Sequence, residues 1–521
     1  MAQRNSAFVL YQINVNRVLA MTRQNILFIV FDQMRADCLH GALGLAVEVP
    51  NFREFMADAV SFTNHVSVTA PCGPARASLL TGQYAMNHRS VRNGTPLPAD
   101  KPNLATELRR GGVQPLLYGY TDTSADPRHH AADDPLLTSY EQVMPGFLEA
   151  LEMRFDDSRT WRGFLATCGY NVPAGNDLYV PAGNSPDAPA LYKAEHSDTA
   201  FLTDRFLADL PTRTDGWCAH VTYIRPHPPF VAPAPYNQSV NPAFVPPAKG
   251  SLDIEAFRYA HPFNAPAIDY RTPRDMVCGF PQIRDSAETT AILRALYLGL
   301  IIELDNHFGR IISHLKHTGQ YDNTLIIITS DHGEMLGDHH CWGKSNYFDA
   351  AYRVPLVIRP PGGGKAGHKV TLPTESVDVT PTILDLLDLE VPDSMDGRSL
   401  APFLNYGTSD DWRDFSVSEL DFGNPVEPTV WQRELGLPSD DCNLTILRDA
   451  THTLVQFAGD LPTILFDHTA EGEARDVAGD ANQASVRLAL TEKLLKHRMT
   501  HAESQFSRTM ITSEGAVRGN H

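Results

Sequence analysis

Cys72 is followed by Gly73, Pro74, Ala75 and Arg76, then by Ala-Ser-Leu-Leu-Thr and Gly82. Gly73 suits an N-cap, Pro74 the first helical position and Gly82 a helix stop, so the stretch reads as a loop entering a helix. Cys72 is then expected just outside a helix N-terminus, where unpaired N–H groups and the helix dipole favour an anion. Arg76 adds a permanent charge one turn along. A sulfur so placed is expected to have a lowered pKa and high reactivity.

A second group of polar residues follows short apolar runs. Asp32-Gln33 follows Asn25–Phe31, and Asp331-His332 follows Thr324–Ser330. Thr121-Asp122-Thr123 follows Pro115–Tyr120, and Arg225-Pro226-His227 follows Trp217–Ile224. Asp331 and His332 supply one oxygen and one nitrogen donor, and Asp32 with Gln33 adds two oxygens. Oxygen-only sites suit Ca²⁺ or Mg²⁺, whereas an imidazole favours Mn²⁺, Fe²⁺ or Zn²⁺. Such a metal acts as a Lewis acid and charge clamp. His339 and His340 are close in sequence, but no spacing brings them to the same strand end, and they read as structural.

These residues need elements that bring them together. Continuous apolar runs of this length read as buried parallel strands when helices alternate with them. Helical patterns fall at 51–60 and at 289–317, the latter with Ile292, Leu296, Leu300, Leu304, Phe308, Ile311 and Leu315 on one face. Pro355–Arg359 is a further strand and Asp378–Leu387 a further helix. The alternation predicts an α/β fold: a large, mostly parallel sheet flanked by helices, with ligands beyond the carboxyl ends of its strands. Asp32, Gln33, Tyr120, His227, Asp331 and His332 all fall at such ends. Residues 124–215 read as loops with little chemistry. After Leu400 the runs Asn443–Arg448, Thr453–Phe457 and Pro462–Asp467 predict an antiparallel sheet, with a helix near Ala484–Lys496. The expected divisions are an N-terminal extension over 1–21, a catalytic α/β domain over 22–400, and a smaller α+β domain with tail over 401–521.

Bulk properties narrow the function classes. The 521 residues are 42% hydrophobic and 20% charged, as in an ordinary globular protein. Lys plus Arg total 43 against 62 for Asp plus Glu, and the net charge of −19 argues against a nucleic-acid or anionic-membrane partner. Seven cysteines without a CxxC pair do not form a disulfide framework, so a reducing, cytoplasmic setting is expected. No run reaches transmembrane length, and residues 1–20 lack a clean signal-peptide core.

Cys72-x-Pro74-x-Arg76 followed by Ala-Ser-Leu-Leu-Thr-Gly resembles the sulfatase signature of the alkaline phosphatase superfamily, and the resemblance extends over most of residues 24–400. It implies an alkaline phosphatase-like fold. It also implies conversion of Cys72 to formylglycine by a formylglycine-generating or equivalent maturation enzyme, the hydrated aldehyde supplying the nucleophilic oxygen. Sulfatases commonly carry a second acid where Gln33 stands and an asparagine where His332 stands. Gln33 and Asp331-His332 look instead like the phosphonate monoester hydrolase and phosphodiesterase branch, which uses Mn²⁺-type metals. The Lys and His of the sulfatase Gly-Lys-Trp-His segment have no match in Gly119-Tyr120-Thr121-Asp122, and a charge-poor pocket there favours a singly charged ester.

Carried over residue by residue, the resemblance makes Asp32, Gln33, position 72, Asp331 and His332 ligands of one divalent metal, Mn²⁺ first, with Fe²⁺, Zn²⁺ or Ca²⁺ as alternatives. Arg76 would hold the nucleophile and the anionic oxygens. Asn93 and Lys344 match positions that contact substrate or leaving-group oxygens, and His227 would protonate the departing alcohol. Tyr120 and Thr121 or Thr123 are further substrate-binding candidates. The implied reaction is in-line displacement at phosphorus by the position-72 hydrate, whose second hydroxyl then collapses to regenerate the aldehyde.

The expected function is therefore a metal-dependent hydrolase of phosphonate monoesters and phosphodiesters, with side activity on sulfate esters and, by resemblance, a homotetrameric state. The alternatives are an arylsulfatase or other sulfate-ester hydrolase, and a non-catalytic metal-binding protein with unmodified Cys72. Because Met21 directly precedes the first strand-like run, deletion of residues 1–20 is expected to leave folding intact, as circular dichroism and a thermal melt of the truncated chain will check.

Overall fold

The computed structural model describes residues 24–156, 158–250, 253–502, 509–513 and 515–518. The leading extension expected over 1–21 lies outside them. The central sheet has eight strands: β1 (Asn25–Phe31), β2 (Val60–Phe62), β3 (Pro115–Gly119), β4 (Leu148–Glu152), β5 (Cys218–Tyr223), β6 (Thr324–Ser330), β7 (Leu356–Arg359) and β8 (Lys369–Val370). Their order is β8-β2-β7-β6-β1-β5-β3-β4. The apolar runs form these strands because both faces are covered. In β1, Leu27, Ile29 and Phe31 enter one core while Ile26, Phe28 and Val30 enter the other, the period of two that a strand imposes. The sheet is mostly parallel, as expected, but β7 runs antiparallel to both β6 and β2. The connection 331–355, which carries Asp331, His332 and Lys344, returns the chain beside β6 in the opposite direction, as antiparallel neighbours allow without a crossover.

Register sets where the functional residues emerge. Phe31 of β1 lies level with Ser330 of β6 and with Tyr223 of β5. Asp32, Asp331 and Ile224 therefore leave the sheet at one height. Ser330 ties two of these ends together: its hydroxyl donates to the His332 carbonyl at 2.9 Å and accepts from the Met34 N–H at 2.8 Å.

Five helices matter to the site: α1 (Pro50–Ala57), α2 (Cys72–Thr81), α3 (Ala287–His317), α4 (Val379–Leu386) and α5 (Ala484–Thr500). The long helix expected over 289–317 is α3, capped by Ser286, whose side chain accepts from the Thr289 N–H. Its apolar face meets α1, with Phe308 stacked on Phe52 at 5.0 Å. Helix α2 is buried along all ten residues. It starts at Cys72 with Pro71 as N-cap, not at Pro74 behind Gly73. The first four helical N–H groups lack intrahelical partners, so Pro74 fits the third position as well as the first. The helix ends at Gly82, whose φ of 66° is the left-handed conformation that glycine supplies.

A second sheet joins β9 (Phe415–Asp421), β10 (Asn443–Asp449), β11 (His452–Phe457), β12 (Ile464–Asp467) and β13 (Gly472–Asp476), all antiparallel neighbours. Its sixth strand is Thr69–Ala70, parallel to β9 with Ala70 opposite Leu420. The segment that feeds Cys72 into α2 is thus a strand of the C-terminal sheet. No described helix is long and apolar enough to cross a membrane.

Replacing Ser330 by Ala removes its bond to the Met34 N–H, which joins the β1 and β6 ends, and its bond to the His332 carbonyl. An unsatisfied buried group costs about 1–3 kcal/mol, so Ser330→Ala is expected to lower the unfolding midpoint in urea; an unchanged midpoint would contradict this role.

Candidate active site

The ends of β1 and β6 and the start of α2 meet in one buried cluster. One ligand atom each from Asp32, Cys72, Asp331 and His332 lies within 4.8 Å of the others. The His332 Nε2 is 3.1 Å from the Cys72 Sγ, and the Asp32 Oδ1 is 3.8 Å from it. Arg76, 1% exposed, sits between the carboxylates. Its Nη2 donates to the Asp32 Oδ2 at 3.0 Å, its Nε to the Asp331 Oδ2 at 3.0 Å and its Nη1 to the Tyr120 carbonyl at 3.2 Å. The guanidinium is held by these partners and is not part of the cavity wall.

The remaining contacts leave lone pairs facing inward. The His332 Nδ1 lies 3.0 Å from the Gly333 carbonyl, so it carries the ring proton and Nε2 keeps a lone pair. Burial lowers the His332 pKa to about 4, with Asp331 opposing, so the ring is neutral near pH 7. The Asp331 Oδ1 accepts the backbone N–H of Gln33 at 3.0 Å and of His332 at 2.9 Å. The Gln33 amide nitrogen donates to the Glu334 carboxylate, which turns its Oε1 toward Lys344, 2.8 Å away. Glu334 also accepts from the N–H groups of Leu336 and Gly343. Two carboxylates, a neutral imidazole with an outward-anchored Nδ1 and an amide oxygen fit a borderline divalent metal.

Around this cluster lies a cavity of about 540 Å³ whose wall includes Gln33, Cys72, Asn93, His227 and Lys344. The Lys344 Nζ is 3.0 Å from the Cys72 Sγ. Asn93 turns its Oδ1 to the Gly73 N–H at 2.9 Å, which leaves its NH₂ as a donor. The His227 Nδ1 is 2.6 Å from the Pro228 carbonyl and so carries the proton. Burial and Lys344 push the His227 pKa well below its ordinary value. The expected acid is thus a neutral imidazole in the resting protein, with a bare Nε2. Cys72 departs from expectation in the same way: burial first, then Asp32, raises its thiol pKa well above the ordinary value, although Lys344 opposes. Desolvation outweighs the helix N-terminus.

Two predicted substrate residues lie elsewhere. The Tyr120 hydroxyl donates to the Asp32 Oδ2 at 2.6 Å and its ring lies 4.2 Å from the Arg76 guanidinium, so it supports the carboxylate from behind. Thr121 donates to the Gln142 carbonyl at 3.0 Å and accepts from the Met144 N–H at 2.7 Å; both bonds are structural, and it is fully buried away from the cavity. His339 stacks flat on Phe348 at 3.8 Å, outside the cluster.

Sequence reasoning missed Asp122. It adopts φ 47°, lies 3.5 Å from the Arg76 Nε through its Oδ2, and has a buried, unpartnered Oδ1. Burial, against Arg76, raises its pKa well above the usual carboxylate range. It also missed Tyr140, Asp156 and Asn176, which reach the cavity from the loops of 124–215. No periodicity marks such positions. Only the tension of an acid at a left-handed turn after a strand hinted at Asp122.

This arrangement places the chain among the alkaline phosphatase-like α/β folds, with the site at the carboxyl ends of the sheet. The chain belongs to the sulfatase family, whose model matches residues 24–389. It is 38% identical to the multifunctional alkaline phosphatase superfamily protein PehA of Trinickia caryophylli, over 96% of this chain and 100% of that protein. Among solved structures it resembles a phosphonate monoester hydrolase of Silicibacter pomeroyi, with a TM-score of 0.94 and 53% identity over 95% of this chain and 99% of the other. A phosphonate monoester hydrolase of Agrobacterium radiobacter gives 0.91 and 40%, over 96% and 100%.

Removing the Arg76 guanidinium strands two buried carboxylates, a loss of about 3–5 kcal/mol for a broken buried pair. Arg76→Ala is expected to show this in urea unfolding; a loss below about 1 kcal/mol, the worth of an exposed pair, would contradict the arrangement.

Proposed function

We propose that the chain hydrolyses phosphonate monoesters and phosphodiesters, with a formylglycine made from Cys72 as nucleophile. The observation that carries the reading is the near-complete likeness to two phosphonate monoester hydrolases, TM-scores 0.94 and 0.91, combined with Gln33 and His332 at the cluster. Here the Cys72 Sγ marks where the oxygens of the hydrated aldehyde would sit. Asp32, Gln33, Asp331, His332 and that oxygen would hold one divalent metal, Mn²⁺ by preference. When bound, the metal supplies Lewis-acid stabilisation of negative charge at position 72 and phosphorus.

The protein's own groups do the rest. Arg76 fixes Asp32 and Asp331, which keeps their other lone pairs aimed at the cluster. Lys344 stays protonated: burial opposes this, but Cys72 and Asp32 raise its pKa. Its ammonium, 3.0 Å from position 72, favours a deprotonated oxygen there and an anionic ester beside it. The Asn93 NH₂ supplies a neutral donor. His227 accepts through Nε2 at rest, and an anionic ester that offsets Lys344 lets it take up the proton it returns to the departing alcohol. Lys344 beside position 72, with neutral donors around it and with Arg92 and Arg271 paired to Asp421 and Asp275, suits a singly charged ester. A maturation enzyme for Cys72, a tetrameric assembly and a cytoplasmic location complete the proposal.

The deciding measurement is kcat/KM for an aryl phosphonate monoester, a phosphodiester and an aryl sulfate with one metal-loaded preparation. The phosphorus esters are expected to lead, and sulfate ahead by orders of magnitude would reverse the assignment. A mass spectrum of the Cys72 peptide is expected to show the aldehyde; a free thiol in active protein from its own host would end the formylglycine mechanism.

A further inference from the structure

Tyr140 lies in the stretch that the sequence marks only as loop, yet the structure holds it firmly at the cavity. The Thr123 N–H donates to the Gln142 carbonyl at 3.1 Å, and Thr121 takes that carbonyl and the Met144 N–H. These bonds clamp 142–144 onto the segment that continues β3. On the other side, the Glu141 carboxylate accepts the N–H groups of Phe155 at 2.9 Å and Asp156 at 3.1 Å. Tyr140 directly precedes these two tethers, half-buried on the wall that it shares with Cys72, His227 and Lys344. Its hydroxyl finds no hydrogen-bond partner among the described residues. A phenol on a rigid cavity wall with no protein acceptor is a donor held for a ligand.

We infer that Tyr140 is a further substrate-contacting residue whose O–H donates to a non-bridging oxygen of the bound ester, an assignment that rests on the function proposed above. The chemistry is consistent with that oxygen. Burial, then Asp122 and Cys72, raise the phenol pKa, so it is a donor at any working pH and adds no charge. Lys344 supplies the positive charge that faces the ester, and the Asn93 NH₂ and the Tyr140 O–H supply neutral donors. Such a set solvates two equivalent oxygens that share one negative charge, while the two arginines of the same wall, Arg92 and Arg271, are paired with Asp421 and Asp275. Tyr140 therefore adds a donor to the ester oxygens without adding charge.

Tyr140→Phe keeps the ring and removes only the donor. In the full-length, metal-loaded enzyme, kcat/KM per aldehyde-bearing site, counted by mass spectrometry, is expected to fall about tenfold to a hundredfold, as loss of a hydrogen bond to a charged group predicts. The inhibition constant of an alkylphosphonate product is expected to rise with it, while the melting temperature and aldehyde content stay unchanged. An unaltered per-site kcat/KM would overturn the assignment, as would a loss confined to melting temperature or aldehyde content. If the wild-type enzyme turns over sulfate esters in preference to phosphorus esters, the substrate reading fails on its own, and the Tyr140 ratio measured on sulfate still decides the contact.

Discussion

The pairing of the Arg76 guanidinium with the carboxylates of Asp32 and Asp331, all three almost wholly removed from water, is the interaction on which the rest of the site depends. Charges buried this deeply are tolerated only when each has an oriented partner. The planar fork of Arg76 supplies one, reaching a carboxylate on each of two strands and a carbonyl on a third segment. Asp122, whose Oδ2 lies 3.5 Å from the same guanidinium, has its pKa raised by burial. With the Oδ2 atoms taken, the unclaimed lone pairs of Asp32 and His332 converge on the sulfur of Cys72. Arg76 thereby serves the chemistry by holding its ligands, and Lys344 is the cavity-wall cation beside Cys72.

This geometry requires three parts of the chain at once. Strands β1 and β6 end level, so their first polar residues emerge side by side. Helix α2 must then enter at the right height. The strand just before it, Thr69–Ala70, is hydrogen-bonded into the C-terminal sheet beside β9, so the distal third of the chain locates the nucleophile position. The same sheet places Asp421 on the cavity wall, and the helix Val430–Leu435 adds Trp431. An overall charge of −19 means that an anionic substrate meets attraction only locally, at Lys344 and the donors around it.

The strands that carry the site were legible because Asn25–Phe31 and Thr324–Ser330 are unbroken apolar runs, a pattern that burial on both faces demands. The long helix α3 was legible from its spacing of three and four. Less visible were the direction of Leu356–Arg359, since apolar runs carry no polarity, and the strand Phe415–Asp421, whose Ser and Glu positions pair with buried partners. The start of α2 was misplaced by two residues because Gly-Pro fits several first-turn positions equally well.

By itself the sequence determined the chemistry available: a cysteine at a helix start with an arginine one turn on, and acid, amide and imidazole groups at strand ends. These follow from local rules, because residue type and the periods of strand and helix are properties of short segments. Only the tertiary structure decided what each group does. Arg76 turns inward to carboxylates, His227 donates its Nδ1–H to a carbonyl as a hydrogen bond, Thr121 is consumed by the backbone of 142–144, and Tyr140 stands free at the cavity. Partnering and desolvation set these roles, and both depend on segments hundreds of residues apart, which no local pattern records.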